Sequence, residues 1–280
     1  MSKNKQPEHQ SFPGLKKNIA HSKFEENIES FNLRGYFIAE NIFSEKEVKF
    51  FKQKMKLLWT KQVDKYGEKL LKKIGDYGVL RAMMEEDRTF LDLIIDERIF
   101  QFVRFILGDS AILHLQNGII LFPSISHNQA RYHKDFPKNF IPSKTLSINT
   151  FILIDDFNQE NGGTWVLPGS HKYTELPSDQ FIKQNEIQIN AKSGSVLIFD
   201  SMLWHKGGWN KTKKERAGIN QQYTKPFIKQ QLDYPVILKD KVEKESKIAQ
   251  TLGIWTIPPK SVDEYRVTDP KLRTYRGGQG

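Results

Sequence analysis

No cysteine occurs among the 280 residues. That absence removes disulfides, zinc ribbons, iron–sulfur clusters and thiol nucleophiles together, and it obliges any metal to be held by nitrogen and oxygen donors. Long apolar runs are missing too. Mean hydropathy is −0.57, and no stretch nears the roughly 18 consecutive apolar residues of a membrane-spanning helix, so no membrane span is expected. The first residues, MSKNKQPEHQSFPGLKKN, carry charge without an apolar core or a small-residue cleavage site, which argues against a secretory signal and for a cytoplasmic location. Internal repeats and low-complexity tracts are likewise absent. Negative charge is in deficit: 43 Lys and Arg oppose 33 Asp and Glu, for a net +10. Such a balance favours anionic partners, yet it is diffuse. Residues 1–24 hold five lysines against one glutamate, leaving +6 on the rest of the chain. Those 24 residues read as a flexible basic leader.

What is present divides into a helical third and a β-rich remainder. GYFIAENIF (35–43) reads as a short strand, and Ser44-Glu45-Lys46-Glu47 as a capping box opening a helix. Val48, Phe51, Met55 and Leu58 follow at helical spacing. Two further helical stretches, about 89–95 and 97–107, stop at Gly108. From Ala111 onward the segments AILHLQNGIILF, LSINTFILI, TWVL, EIQI, GSVLIFD and AGINQQY alternate with Gly, Pro and Asn turns. Six strands in little over a hundred residues, with no long helix between them, predict an antiparallel sandwich or barrel of jelly-roll type with helices over one outer face. The expected organisation is one domain over 25–280. Its β core would cover about 110–225, and residues 226–280 would form an extension of loops and short helices.

The chemistry centres on His133-Lys134-Asp135. Residues two apart on an extended strand share a face, so His133 and Asp135 can grip one ion while Lys134 points away. These are two of the three ligands of a 2-His-1-carboxylate iron site, although the tripeptide alone arises often by chance. His205 closes the strand-like GSVLIFDSMLWH and makes a third ligand available. Arg216 follows the polar turn KGGWNKTKKE and begins RAGINQQY. A strand, turn and returning strand would bring its guanidinium beside the site, where its fork suits a carboxylate. Gln116, Asn149 and Phe151 lie on strands that should line the cavity, with Asn149 and Phe151 on one face. His114 reads as a core histidine, His127 as a loop residue, and His171 as a residue that shapes its turn. Trp165, Trp204 and Trp209 read as packing residues.

Taken with Asn161-Gly162-Gly163-Thr164-Trp165-Val166-Leu167-Pro168-Gly169-Ser170-His171-Lys172 and Gly194-Ser195-Val196, these motifs give the chain a resemblance to a known family. It resembles the Fe(II)- and 2-oxoglutarate-dependent dioxygenases of the phytanoyl-CoA dioxygenase type. The resemblance implies a mainly β, double-stranded β-helix (cupin-like jelly-roll) core covered by N-terminal helices. It implies that His133, Asp135 and His205 bind iron and are catalytic, and that Arg216 binds the distal carboxylate of 2-oxoglutarate; Gln116, Asn149 and Phe151, from their strand positions, are expected either to contact the co-substrate or to pack in the core. Dioxygen would be the second co-substrate, and hydroxylation of an unactivated C–H bond with release of succinate and carbon dioxide the usual outcome. Halogenation is disfavoured because Asp135 stands where similar halogenases carry a small residue.

Three other readings compete with this one. Nucleic-acid demethylation would draw on the positive charge, but related repair dioxygenases carry a second arginine where this chain has Gln222, so no nucleic-acid partner is expected. A non-catalytic scaffold should show degraded ligands, and a redox-inert metallohydrolase leaves Arg216 unexplained. The expected partner is a small molecule, anionic or polar, drawn by Lys211, Lys213 and Lys214 if their turn sits at the cavity mouth. Neither the substrate nor the oligomeric state follows from the sequence.

Overall fold

Ser44 and Glu47 form the expected capping box: the hydroxyl accepts from the Glu47 amide and the Glu47 carboxylate accepts from the Ser44 amide. The helix it opens, α2 (Glu45–Tyr66), buries Val48, Phe51 and Met55 along one face. It is preceded by α1 (Lys23–Arg34) and β1 (Tyr36–Ala39), and followed by α3 (Glu68–Ile74), β2 (Val79–Arg81), α4 (Arg88–Asp92) and α5 (Glu97–Leu107). Helix α5 stops at Gly108, whose φ of 90° suits glycine. The structure, a computed structural model, describes residues 19–125, 128–238 and 240–267. Helix α1 starts at Lys23, with Ser22 as its N-cap. The last residues of the expected leader are therefore helical, because Ser22 and the acidic first turn satisfy the helix start; residues 1–18 lie outside the described residues.

Strands β3 (Ile112–Leu121), β4 (Ser147–Leu153), β5 (Trp165–Val166), β6 (Ile187–Gln188), β7 (Val196–Asp200), β8 (His205–Lys206) and β9 (Arg216–Thr224) follow, with α6 (Asp179–Asn185) between β5 and β6. They form an antiparallel six-stranded sheet in the order β1-β7-β4-β9-β3-β2 and a three-stranded sheet in the order β6-β5-β8. The chain is mainly β, with a cupin-like jelly-roll core and flanking helices. The large sheet recruits β1 and β2 from the helical third, so the β core is wider than the expected 110–225. Beyond it, α7 (Tyr234–Leu238), α8 (Lys247–Thr251) and α9 (Val262–Val267) make the short-helix extension.

Two apolar clusters position everything else. The larger joins α1, α2 and α5 to one face of the large sheet through Phe31, Phe51, Met55, Phe100, Val103, Ile148, Ile152, Ile198 and Ile219. The smaller lies between the sheets and contains Phe151, Leu153, Phe157, Val166, Leu197, Phe199 and Leu203. Each fully buried side chain of this kind contributes roughly 1.5–3 kcal/mol, so both faces of the large sheet are fixed. A cavity remains at the end of the sandwich beside β8 and β9, lined by His133, His205 and Arg216.

Candidate active site

Strand β7 ends at Asp200, which makes the turn that crosses from the large sheet to the small one. Its carboxylate accepts from the Met202 amide at 2.8 Å, and its carbonyl from Leu203 at 2.8 Å. The turn delivers His205 opposite His133. These two residues exchange both backbone hydrogen bonds, at 2.9 and 3.1 Å, so their rings emerge on one face with centroids 4.3 Å apart. Asp135 lies two residues on, as the spacing predicts, although His133 sits in a single bridge rather than a strand. The His133 Nε2–Asp135 Oδ1 distance is 3.4 Å and the His205 Nε2–Asp135 Oδ2 distance 3.5 Å. One donor atom from each of the three lies within 4.8 Å of the others.

The tautomers are set from behind. His133 Nδ1–H donates to the Arg131 carbonyl at 2.8 Å, and His205 Nδ1–H to the Leu203 carbonyl at 2.9 Å. Both Nε2 lone pairs are thereby left facing Asp135, the arrangement that metal-binding histidines need. Burial pushes the Asp135 carboxyl up, but the His205 and His133 rings and the Asn149 amide together hold it below its ordinary range. His205 is lowered by burial despite Asp135, whereas at His133 the Asp135 carboxylate outweighs burial and raises the ring. Two neutralisable imidazoles and an ionised carboxylate make a hard nitrogen–oxygen donor set, suited to non-haem Fe(II).

Arg216 faces this cluster across the sandwich. Strand β9 lies between β4 and β3 in the large sheet, while β8 belongs to the small sheet, so the two are not the returning pair that the sequence suggested. Arg216 is 4% exposed, and its Nε and Nη1 have no hydrogen-bond partner. Its Cζ rests 3.9 Å from the centre of the Phe157 ring. Burial pushes its pKa down to about 9, with Asp155 opposing. A buried charge with unpaired donors is costly unless an anion completes it, and Arg216 opens onto the same cavity of about 360 Å³ as His133, Asp135 and His205.

Of the other expected contacts, Phe151 lines this cavity. Asn149 lies beneath it: its amide donates to Asp135 Oδ2 and its carbonyl accepts from Ser201 at 3.3 Å. Gln116 does not fit the expectation. Its side chain is fully buried on the helix side of β3, donating to the Phe90 carbonyl at 2.7 Å and accepting from the Met84 amide at 3.2 Å. The cause is parity. A β-bulge between Leu113 and Leu115 sets Leu115, Asn117, Ile119 and Leu121 toward the cavity, and Gln116 away from it. The same bulge turns His114, expected in the core, onto the cavity wall. Sequence reasoning also passed over Arg81, Asn117, Asn220 and Gln231, all of which line the cavity. The available signal was the run of polar residues inside β-like segments.

Lys211, Lys213 and Lys214 do not line this cavity. Lys214 instead faces a groove with Lys52, Lys56 and Asp155, because the turn runs along the outer end of the large sheet. His171, expected to shape its turn, packs against Gly35 at the end of α1. Its ring is packed so closely on Gly35 that a Cβ there would lie 2.5 Å from Nδ1, and burial, aided by Lys172, pushes it down to about 4. His127 lies outside the described residues. No described helix is long and apolar enough to cross a membrane.

Comparison with known proteins agrees with this geometry. The family model described as phytanoyl-CoA dioxygenase matches residues 31–218. An uncharacterised protein of Mycobacterium tuberculosis is 35% identical over 259 residues, covering 90% of this chain and 94% of its own. The ectoine dioxygenase of Stutzerimonas stutzeri is 25% identical over 230 residues, covering 71% of this chain and 76% of its own. Among solved structures, EctD of S. alaskensis with 2-oxoglutarate and 5-hydroxyectoine superposes with a TM-score of 0.61 at 22% identity, over 71% of this chain and 75% of that one. HygX of Streptomyces hygroscopicus with iron bound gives 0.56 at 15% identity, over 75% and 90%.

Proposed function

Because this chain belongs to the phytanoyl-CoA dioxygenase family and is an Fe(II)- and 2-oxoglutarate-dependent dioxygenase, we propose that His133, Asp135 and His205 hold the iron and that Arg216 holds the distal carboxylate of 2-oxoglutarate. The reaction we assign is hydroxylation of a C–H bond in a small polar molecule, in which one oxygen atom enters the product, the other enters succinate, and carbon dioxide leaves. The observation that carries this reading is the joint one: a His-Asp-His cluster with both Nε2 atoms turned inward, facing a buried arginine whose Nε and Nη1 lack partners.

Iron bound at the cluster supplies the oxidation of 2-oxoglutarate by dioxygen that makes an inert C–H bond reactive. The protein's part is positioning. The backbone pairing of His133 with His205 fixes the two rings, the Nδ1–H bonds to Arg131 and Leu203 fix their tautomers, and Asn149 holds the Asp135 carboxylate from behind. Phe157 keeps the guanidinium of Arg216 flat and dry, so an incoming carboxylate meets donors already desolvated. Leu121, Ile119 and Phe151 supply the apolar part of a largely polar lining. We place the enzyme in the cytoplasm.

The test is stoichiometric. Purified protein loaded with Fe(II) should convert 2-oxoglutarate to succinate with consumption of dioxygen, and a chelator should stop it. A rate equal to that of free iron would refute the assignment.

A further inference from the structure

Behind the iron site, on the outer face of the small sheet, lies a second cluster of charged and aromatic side chains. Its position follows from parity. His133 and His205 form an antiparallel bridge and both turn into the cavity, so the side chains one step away on either segment start on the opposite face. These are Tyr132 and Lys134 on one segment, Trp204 and Lys206 on the other. They pair crosswise as cation and ring. The Lys206 ammonium lies 4.5 Å from the centre of the Tyr132 ring, and the Lys134 ammonium 4.9 Å from the centre of the Trp204 ring while donating to the Tyr173 carbonyl. Both distances fall within the roughly 6 Å over which such pairs attract.

A carboxylate ties the first pair together. One oxygen of Glu186, Oε2, accepts from the Tyr132 hydroxyl at 2.8 Å and from the Lys206 ammonium at 2.8 Å. Glu186 stands at the end of α6, where its amide donates to the Ile182 carbonyl. On the far side of Lys206 lies the Trp165 ring, 5.3 Å away, because β5 pairs Trp165 with Lys206. Two rings and a carboxylate thus hold one ammonium, and the side chains of the ion pair are only 25% and 18% exposed.

The bridge is too short to fix itself. Strand β8 has two residues, and the segment carrying His133 meets it in a single residue pair. A slip of one residue would turn Tyr132 into the cavity and His133 out of it, and a metal site tolerates errors of only about 0.2 Å in its ligand distances. A hydroxyl from one segment and an ammonium from the other, sharing one carboxylate oxygen, hold both segments at once. Buried ion pairs are weak sources of stability, and their best-attested use is to fix registry. Segment 161–172 supplies the other side of the frame. Val166 pairs with His205, the Leu167 amide donates to the Trp204 carbonyl at 2.9 Å, and Ser170 Oγ accepts from the Trp204 amide at 3.0 Å. Strand β8 is fixed from that side, and the cluster brings the His133 segment to it.

Resting on the dioxygenase reading, we propose that Glu186 and Lys206 are positioning residues for the iron: with Tyr132 they lock the His133 segment onto β8 from behind and so set the spacing of the two imidazole ligands. None of the three lines the cavity, so their effect on iron runs through the histidines.

The test is an anaerobic titration of Fe(II) into metal-free protein with excess 2-oxoglutarate, read by the visible charge-transfer band and by competition with a chelator, alongside the melting temperature of the metal-free form. Glu186→Gln and Lys206→Met should each weaken iron binding about tenfold, as loss of a supporting partner behind a metal ligand does. Both should also move the position of the band, which a loss of stability alone does not do. Lys206→Arg keeps the charge and the ring contacts and should stay within about twofold of wild type. Tyr132→Phe removes a single hydrogen bond and should weaken iron binding about threefold. Unchanged affinity and band in folded Glu186→Gln and Lys206→Met, or a loss in Lys206→Arg as large as in Lys206→Met, overturns the proposal, even if the metal-free variants melt lower. Should the two larger changes prevent folding, Tyr132→Phe decides, and wild-type affinity in it overturns the proposal. A wild type that binds no iron sinks the dioxygenase reading itself, whereas normal wild-type binding with indifferent variants sinks only the positioning role.

Discussion

Replacing Arg216 by Leu should make the empty protein more stable and the co-substrate complex weaker. The fall of the guanidinium from its ordinary value to about 9 corresponds to a cost of about 5 kcal/mol for holding the buried charge. The Phe157 ring at 3.9 Å offsets roughly 2 kcal/mol of this, leaving about 3 kcal/mol. Since the folded value lies below the unfolded one, the group stays charged at neutral pH and the whole cost is carried there; stability recovers only as pH rises past about 9. Leucine removes the charge and retains an apolar side chain against Phe157. The iron-free variant should therefore melt several degrees higher, at about 2–4 °C per kcal/mol for a chain of this size. The opposite change should appear on adding 2-oxoglutarate. Loss of one partner of a buried pair costs about 3–5 kcal/mol, so the stabilisation that 2-oxoglutarate gives the wild type should vanish and its apparent affinity should fall by at least tenfold. Arg216→Lys should recover part, because a point charge lacks the planar fork. Thermal unfolding with and without 2-oxoglutarate reads both effects in one assay. If the empty Arg216→Leu protein melts well below wild type, or still gains the full shift from 2-oxoglutarate, the guanidinium is structural and the reasoning is wrong.

Gln116→Leu should destabilise by about 1–3 kcal/mol, because the Phe90 carbonyl and Met84 amide lose their partner, while the KM for 2-oxoglutarate stays put; a raised KM would return Gln116 to the co-substrate site. Asn149→Leu should weaken iron binding by about 10–100-fold through Asp135, and unchanged affinity in a metal titration would remove Asn149 from that role. Burial lifts the Asp200 carboxyl to about 6, against the Met202 amide and Thr145 hydroxyl that favour its ionised form. The folded state thus keeps a proton that the unfolded chain has released near 3.8, so this residue's contribution falls as pH climbs from 3.8 to about 6. Asp200→Asn should be more stable than wild type by up to about 3 kcal/mol at pH 7.5, with the gain gone below pH 4; a difference that does not vary with pH in denaturant unfolding would refute it.

Much of the site was legible in the sequence because it depends on local spacing. His133 and Asp135 share a face through the period of two, His205 closes an apolar β-like segment and Arg216 begins another. Ser44 and Gly108 marked helix ends by chemistry that needs no tertiary context. What could not be read depends on parity and on distant partners. One extra residue at the bulge in β3 reverses which side chains face the cavity, sending Gln116 to the helices and His114 to the wall. Strand β2, only three residues long, is held by pairing with β3 rather than by its own propensity, and with it came Arg81. Lys211, Lys213 and Lys214 were placed by their nearness in sequence to His205 and Arg216. Those two strands lie in different sheets, so the turn between them leaves the cavity.

In the proposed assignment one iron sits on His133, Asp135 and His205 with 2-oxoglutarate anchored at Arg216. Anaerobic titration of Fe(II) into the metal-free protein in the presence of 2-oxoglutarate, followed by the visible charge-transfer absorption of an iron-chelated 2-oxo acid, tests it directly. The band should saturate at one iron per chain and disappear in folded His133→Ala, Asp135→Ala and His205→Ala. Its 2-oxoglutarate requirement should rise at least tenfold in Arg216→Leu. A band of undiminished strength in any of the three alanine variants, or no band in the wild type, would contradict it.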